Sequence, residues 1–112
     1  RRVLFRSSLA LQGADALVVC SAWQFPRVNH WKILLKARGI ENQVYVVAAN
    51  HIGTDGPTTF CGVSRMIDPY GVTVAAAAED RAQLITGELN RETLDWARQR
   101  MPVMKHRRQD LY

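Results

Sequence analysis

The chain has 112 residues, of which 47% are hydrophobic and 22% are charged. That is the size and composition of one globular domain. No apolar run approaches the length of a membrane span, so a soluble, cytoplasmic protein without a membrane partner is expected. The net charge of +5 comes mainly from basic residues at the two ends. Aromatic residues do not alternate with them, so nucleic acid is not expected as a partner.

The two cysteines and the three histidines show no metal-binding spacing. Cys20 and Cys61 each lie in an apolar, strand-like run, where a free cysteine usually packs as a small hydrophobic residue. We therefore expect no disulfide framework and no metal site, and we expect both thiols to be core residues.

The first half of the chain predicts a helix, a strand, a second helix and a second strand. A helix over residues 4–13 is followed by a short apolar strand over residues 16–20, and a helix capped by Asn29 leads into a strand over residues 44–49. Continuous apolar runs are typical of strands covered on both faces. A helix between two such strands predicts a parallel βαβ unit.

The second half predicts hairpin strands and a final helix. Residues 60–67 lead into DPYG at 68–71, where Asp, Pro and Gly suit the first, second and fourth positions of a type I turn. A further strand is predicted over residues 83–89, and Asn90 is expected to cap a helix over residues 91–100. The mixture of elements predicts an α/β (α+β) fold built from helix and sheet layers.

Five blocks of the sequence carry motifs as well as a secondary-structure pattern. They are LALQGAD at 9–15, VVCSAW at 18–23, HWKILLKARGIENQVYVVAAN at 30–50, GVSRMIDPYG at 62–71, and a closing pair, RQRMP at 98–102 with RRQDLY at 107–112. In this order they resemble motifs of the nitrilase (carbon–nitrogen hydrolase) superfamily. The resemblance implies that residues 1–112 are the C-terminal part of a single hydrolase domain, half of a four-layer α-β-β-α sandwich, with residues 1–7 a non-native leader.

The resemblance also implies an activity. In this family a Cys thiolate attacks the carbon, a Glu moves the proton, a Lys stabilises the oxyanion, and water hydrolyses the thioester. The ending is most similar to the omega-amidase-like branch, which implies an amidase that converts a small nonpeptide amide to acid and ammonia with no cofactor. The family's three catalytic residues precede the matched blocks, so this chain is expected to lack them and to be inactive alone. A homodimer or larger homo-oligomer is also implied.

Three residues are expected to contact the substrate pocket. The resemblance places Trp23 and Ala22 in the loop that brings an aromatic wall to the substrate, and an apolar wall beside a few polar groups suits a small-ligand site. The alternative for Trp23 is a buried aromatic that only fills volume. His30 is expected at the pocket mouth, and a solvated residue in the first helical turn is its alternative.

Three further residues are expected to support the site without contacting the substrate. Arg38 and Glu41 are three apart on the predicted helix, a spacing that allows an ion pair, and we expect that pair to brace the active-site loop. Asn50 follows a predicted strand and is expected to orient a loop by bonding backbone groups.

Two other functions stay open. One is a noncatalytic interaction module that pairs with a complete homologue. The other is a thiol enzyme that uses Cys20 and His51, because each ends a predicted strand and neighbouring strand ends lie close together.

Overall fold

The computed structural model describes residues 13–100. The predicted first helix, the leader and the closing motif at 107–112 therefore lie wholly or largely outside the described residues. The elements are Ala16–Ser21 (β1), Val28–Asn42 (α1), Tyr45–Asn50 (β2), Thr54–Asp55 (β3), Thr58–Thr59 (β4), Arg65–Ile67 (β5), Thr73–Ala76 (β6) and Arg91–Arg100 (α2). Neither described helix has the length and apolar character needed to cross a membrane.

Four of the strands form one sheet in the order β1-β2-β5-β6. β1 and β2 are parallel, and Ser21 at the end of β1 lies opposite Asn50 at the end of β2. β5 is antiparallel to both of its neighbours. Because α1 connects the parallel pair, the predicted βαβ unit is confirmed, and so is the α/β class of the fold.

Helix α1 covers one face of this sheet. Trp31, Leu35 and Gly39 recur every fourth residue and are buried, so they form the stripe that packs on the strands. A Cβ atom at Gly39 would lie 3.2 Å from the Asp68 carbonyl oxygen, which shows how closely the helix approaches. The core beneath the helix contains Val19, Val46, Ala48, Cys61, Val63 and Ile67.

The opposite face of the sheet is partly open. Val18 is 74% exposed, and Cys20 and Ala49 are exposed as well. The prediction that β1 is covered on both faces is therefore wrong for the described residues, because α1 covers one side only. The expectation for Cys20 as a core residue is wrong for the same reason, whereas Cys61 is 3% exposed and belongs to the core as predicted.

Helix α2 packs near the start of the parallel strands. The side chain of Asn90 accepts a hydrogen bond from the backbone N–H of Glu92 at 2.8 Å, so its predicted capping role is confirmed. The backbone N–H of Asn90 donates to the Tyr45 hydroxyl at 2.9 Å, which ties the helix to β2. The guanidinium of Arg98 donates to the Asp15 carboxylate at 2.8 Å and lowers the pKa of that carboxyl.

Two local predictions are wrong. Residues 83–89 form no strand; Gly87 lies against the side chains of Met66 and Val74, so this segment crosses the face of the sheet instead of extending it. Asn29 does not cap α1, because the helix begins at Val28 without a side-chain cap.

Candidate functional site

A shallow depression lies where β1 and β2 end side by side. It has a volume of about 410 Å³ and is lined by Cys20, Ser21, Ala22, Trp23 and His51. The carboxyl ends of parallel strands are where α/β sheets usually bind ligands, and the volume suits a small molecule. Two of the three predicted pocket residues, Ala22 and Trp23, line this depression.

Two contacts hold the side chain of Trp23 in place. Its indole Nε1 donates to the Arg27 carbonyl oxygen at 2.7 Å. Its ring lies 6.0 Å from the ring of Trp31, centroid to centroid, at an angle of 35°. Trp31 is a core residue, 3% exposed. Trp23 therefore packs against the core and also lines the depression, and its contact with a substrate stays a prediction.

Asn50 holds the backbone of Trp23. The side-chain oxygen of Asn50 accepts from the Trp23 N–H at 2.7 Å, and its Nδ2 donates to the Trp23 carbonyl at 3.2 Å. The same Nδ2 also donates to the Gly62 carbonyl at 2.9 Å. One amide thus joins the loop after β1 to the loop before β5.

Gly62 and Val63 form a left-handed turn behind this amide, with φ angles of +60° and +55°. That conformation is costly for a β-branched residue such as Val63. The turn is fixed by the indole of Trp31, which donates to the Val63 carbonyl at 2.9 Å, and by the Gly62 N–H, which donates to the His51 carbonyl at 3.0 Å. This turn was not predicted, although a glycine inside a strand-like run is its signal.

His51 and Cys20 line the same depression. Nδ1 of His51 lies 3.0 Å from the Ser21 carbonyl oxygen, and because a carbonyl only accepts, Nδ1 is the protonated nitrogen of that bond. The imidazole ring also contacts Phe60, with centroids 5.3 Å apart. The hypothesised cysteine–histidine pair is therefore brought to one surface.

The second thiol has a different environment. Burial raises the pKa of the Cys61 thiol, and Nδ2 of Asn50 lies 3.4 Å from its sulfur. Buried thiols with raised pKa values are poor nucleophiles, so Cys61 is a packing residue. Across residues 13–100 there is no cluster of three or more potential metal ligands.

The remaining predicted site residues lie outside the depression. His30 is exposed in the first turn of α1 and is absent from the lining of the depression. Arg38 and Glu41 do form the expected ion pair, with the Arg38 side chain 13% exposed and that of Glu41 58% exposed. The expected roles of these three residues stay predictions.

Arg65 is a residue that the sequence gives no reason to single out. It is 8% exposed, and its Nε has no hydrogen-bond partner among the described residues. Burial lowers the pKa of this guanidinium. Because Arg65 stands between Ser64 and Met66, the sequence pattern shows it only as one polar residue of a predicted strand.

The carbon–nitrogen hydrolase family model matches residues 3–99 of this chain. The chain is 37% identical over 101 residues to the 2-oxoglutaramate amidase of Bacillus subtilis, covering 90% of this chain and 39% of that protein. It is 44% identical over 101 residues to a deaminated glutathione amidase of Escherichia coli, covering 88% of this chain and 37% of that protein.

Solved structures show the same likeness. A carbon–nitrogen hydrolase from Helicobacter pylori matches with a TM-score of 0.86 at 22% identity, over 98% of this chain and 43% of that one, which bears on the fold alone. A nitrilase-superfamily member from Saccharomyces cerevisiae matches with a TM-score of 0.80 at 29% identity, over 95% and 40% of the two chains.

The chain spans about two-fifths of the length of the curated relatives described above. These shares give the length of the matched stretch and not its position. They therefore do not support the expectation that the chain is the C-terminal part of the domain.

Proposed function

Because the chain belongs to the carbon–nitrogen hydrolase (nitrilase) superfamily and to its omega-amidase-like branch, we propose that it forms one wall of an amidase substrate pocket. The observation that carries this proposal is the depression at the ends of β1 and β2, which Ala22 and Trp23 line. The substrate class is a small acid that bears a side-chain amide. The relatives named as 2-oxoglutaramate and deaminated glutathione amidases support that class.

The reaction is hydrolysis through a thioester. A cysteine thiolate adds to the amide carbon, the C–N bond breaks, and ammonia leaves with a proton supplied by a glutamate. Water then attacks the thioester, which releases the acid and restores the thiol, while a lysine stabilises the oxyanion in both steps. We propose that these three groups come from outside the 112 residues and that this chain alone is inactive.

Each pocket residue has a proposed part in binding. The indole of Trp23 gives an apolar wall for the carbon chain of the substrate, and the small side chain of Ala22 leaves room beside it. His30 stands at the start of α1 and reaches the substrate only at the pocket mouth. The Arg38–Glu41 pair braces α1 under the loop, where the low exposure of Arg38 makes loss of its partner costly.

An ammonia-release assay with succinamic acid tests the function. The 112-residue chain is expected to give no turnover above background. A longer protein that joins this chain to the proposed catalytic residues is expected to be active, and Trp23→Ala in it is expected to raise KM about tenfold or more by removing the apolar wall. Gln24→Ala, an exposed neighbour outside the lining, is the control and is expected to behave as the unaltered protein. An unchanged KM in Trp23→Ala would contradict the proposal.

A second candidate is an independent thiol enzyme, which the shared position of Cys20 and His51 in the depression favours. Turnover by the 112-residue chain that disappears in Cys20→Ala would establish this function and overturn the first. The matched control is Cys61→Ala, whose buried thiol is expected to play no part.

A homo-oligomer, or a noncatalytic module that pairs with a complete homologue, is the proposed assembly. Ile33 and Ile40 on α1 are 63% and 50% exposed, and apolar side chains on the outer face of a helix support association. Sedimentation velocity of the chain alone, and of the chain mixed with a complete homologue, separates the two. A monomer in both experiments would overturn this part of the proposal.

A further inference from the structure

The side chain of Asn50 closes a circuit of contacts behind the pocket wall. Its amide bonds the backbone of Trp23 and of Gly62. The ring of Trp23 packs on Trp31, and the indole of Trp31 bonds the carbonyl of Val63. Because Gly62 and Val63 are adjacent in the chain, the circuit returns to its starting point.

The orientation of the Asn50 amide is fixed by its partners. The Trp23 N–H only donates and the Gly62 carbonyl only accepts, so Oδ1 must face the first and Nδ2 the second. Nδ2 has two hydrogens for three acceptors, the Gly62 carbonyl at 2.9 Å, the Trp23 carbonyl at 3.2 Å and the Cys61 sulfur at 3.4 Å. An aspartate has no such hydrogens, so this position requires an amide.

The turn that the amide holds is strained. Val63 has a φ of +55°, and a β-branched residue keeps such a conformation only where its surroundings over-determine it. Two of the contacts that hold this turn come from Asn50 and Trp31. The first contact joins the turn to the amide that bonds the backbone of Trp23, and the second joins it to the ring on which Trp23 packs.

We propose that Asn50 is the positioning residue of the pocket wall: its side-chain amide sets the place of Trp23, and with it the room left for a small amide. This proposal rests on the proposed function, in which Trp23 walls the pocket. Asn50 does not line the depression, so it acts on the ligand through Trp23.

Three variants of the chain separate positioning from plain stability. Asn50→Asp keeps an acceptor for the Trp23 N–H but turns the donor to Gly62 into an acceptor. Asn50→Ser is too short to join the two loops. Ser64→Ala is the control, because the Ser64 hydroxyl accepts from the backbone N–H of Asn50 at 2.9 Å and its loss leaves the amide circuit intact.

Two readouts are followed in each variant. The first is the indole N–H signal of Trp23 in a ¹⁵N-labelled sample, assigned with Trp23→Phe, since this proton is bonded to the Arg27 carbonyl. The second is the affinity for succinamic acid, measured by titration. Both Asn50 variants are expected to move the Trp23 signal and to weaken binding about tenfold or more. Ser64→Ala is expected to lower the unfolding midpoint and to change neither readout.

A Trp23 signal that stays in place in both Asn50 variants would overturn the proposal. So would unfolding of both variants under conditions that leave Ser64→Ala folded, because the amide would then support the whole domain and not the wall. If the unaltered chain does not bind succinamic acid, the proposed pocket fails, while the indole signal still decides the role of Asn50.

Discussion

The two faces of the four-stranded sheet differ although the same strands form both. Neighbouring residues on β1 show the contrast: Val19 is 7% exposed under α1, whereas Val18 on the other side is 74% exposed. On β2 the same alternation buries Ala48 and exposes Ala49. Both faces are apolar here, yet only one has its covering helix among the described residues.

The two faces differ in what covers them among the described residues. The face under α1 has a packed core, a buried tryptophan and a fixed turn, and it supports the candidate site from behind. The other face leaves apolar side chains in water, which is typical of a surface that a further layer covers. A layered sandwich requires such a second layer.

The largest contrast between a covered and an open position is expected for two glycines. Gly62 and Gly56 both have a φ of +60°, but a Cβ at Gly62 would lie 2.5 Å from the Glu79 carbonyl oxygen, whereas Gly56 has open space. Gly62→Ala is expected to lower the free energy of unfolding by about 3 kcal/mol or more. Gly56→Ala is expected to lower the free energy of unfolding by about 1 kcal/mol, because the positive φ is the only conformational cost at this position. Equal losses in urea denaturation would contradict the packing described for the turn.

A second contrast uses one substitution on the two faces of β1. Val19→Ala removes buried methyl groups and is expected to cost about 2 kcal/mol, including the cavity that it leaves. Val18→Ala removes exposed groups and is expected to cost less than about 0.5 kcal/mol. Comparison of the two urea midpoints checks this. A loss in Val18→Ala as large as that in Val19→Ala would mean that the open face is covered in solution.

The smallest effect on stability is expected from the ion pairs that join α2 to Asp15, the residue before β1. Arg98 and Arg91 both donate to the Asp15 carboxylate and hold the pKa of that carboxyl below its usual range. A lowered carboxyl pKa stabilises the fold above the unfolded pKa, and this stability is lost as the pH falls through the folded pKa. The side chain of Asp15 is 41% exposed, so screening keeps the effect below about 1 kcal/mol.

The test for Asp15 is the unfolding free energy of the unaltered chain and of Asp15→Asn, measured from about pH 6 down to about pH 2. The difference between them is expected to shrink as the carboxyl protonates. Asp55→Asn in the exposed hairpin is the control, because its carboxylate has no ion pair in the described part of the chain. A constant difference for Asp15 would show that its ion pairs do not contribute.

Local features were the most predictable part of the fold. The turn at Asp68 formed as predicted, since the Gly71 N–H donates to the Asp68 carbonyl oxygen at 2.9 Å. Like the βαβ unit and the cap at Asn90, it depends on residues close together in the chain, whose periodicity and side-chain chemistry are visible in the sequence. The prediction of a strand over residues 83–89 was wrong because an apolar pattern does not show whether a segment joins the edge of a sheet or packs on its face.

The candidate site was less predictable for a related reason. Trp23 and Asn50 are 27 positions apart, and no local pattern shows that the amide reaches both backbone groups of the tryptophan. The exposure of Cys20 was not predicted. An apolar run shows that a strand can be buried on two faces, but it does not show which layers are present to bury it.

Alkylation of the two cysteines is the most direct test of whether one face of the sheet is packed and the other open. With iodoacetamide under native conditions, one label per chain is expected, at Cys20, with Cys61 labelled only after unfolding. Cys20 is expected to react at about the rate of a free thiol in the same buffer. A rate roughly a hundredfold higher would favour the thiol enzyme. Protection of both thiols, or labelling of both, would contradict this difference between the two faces.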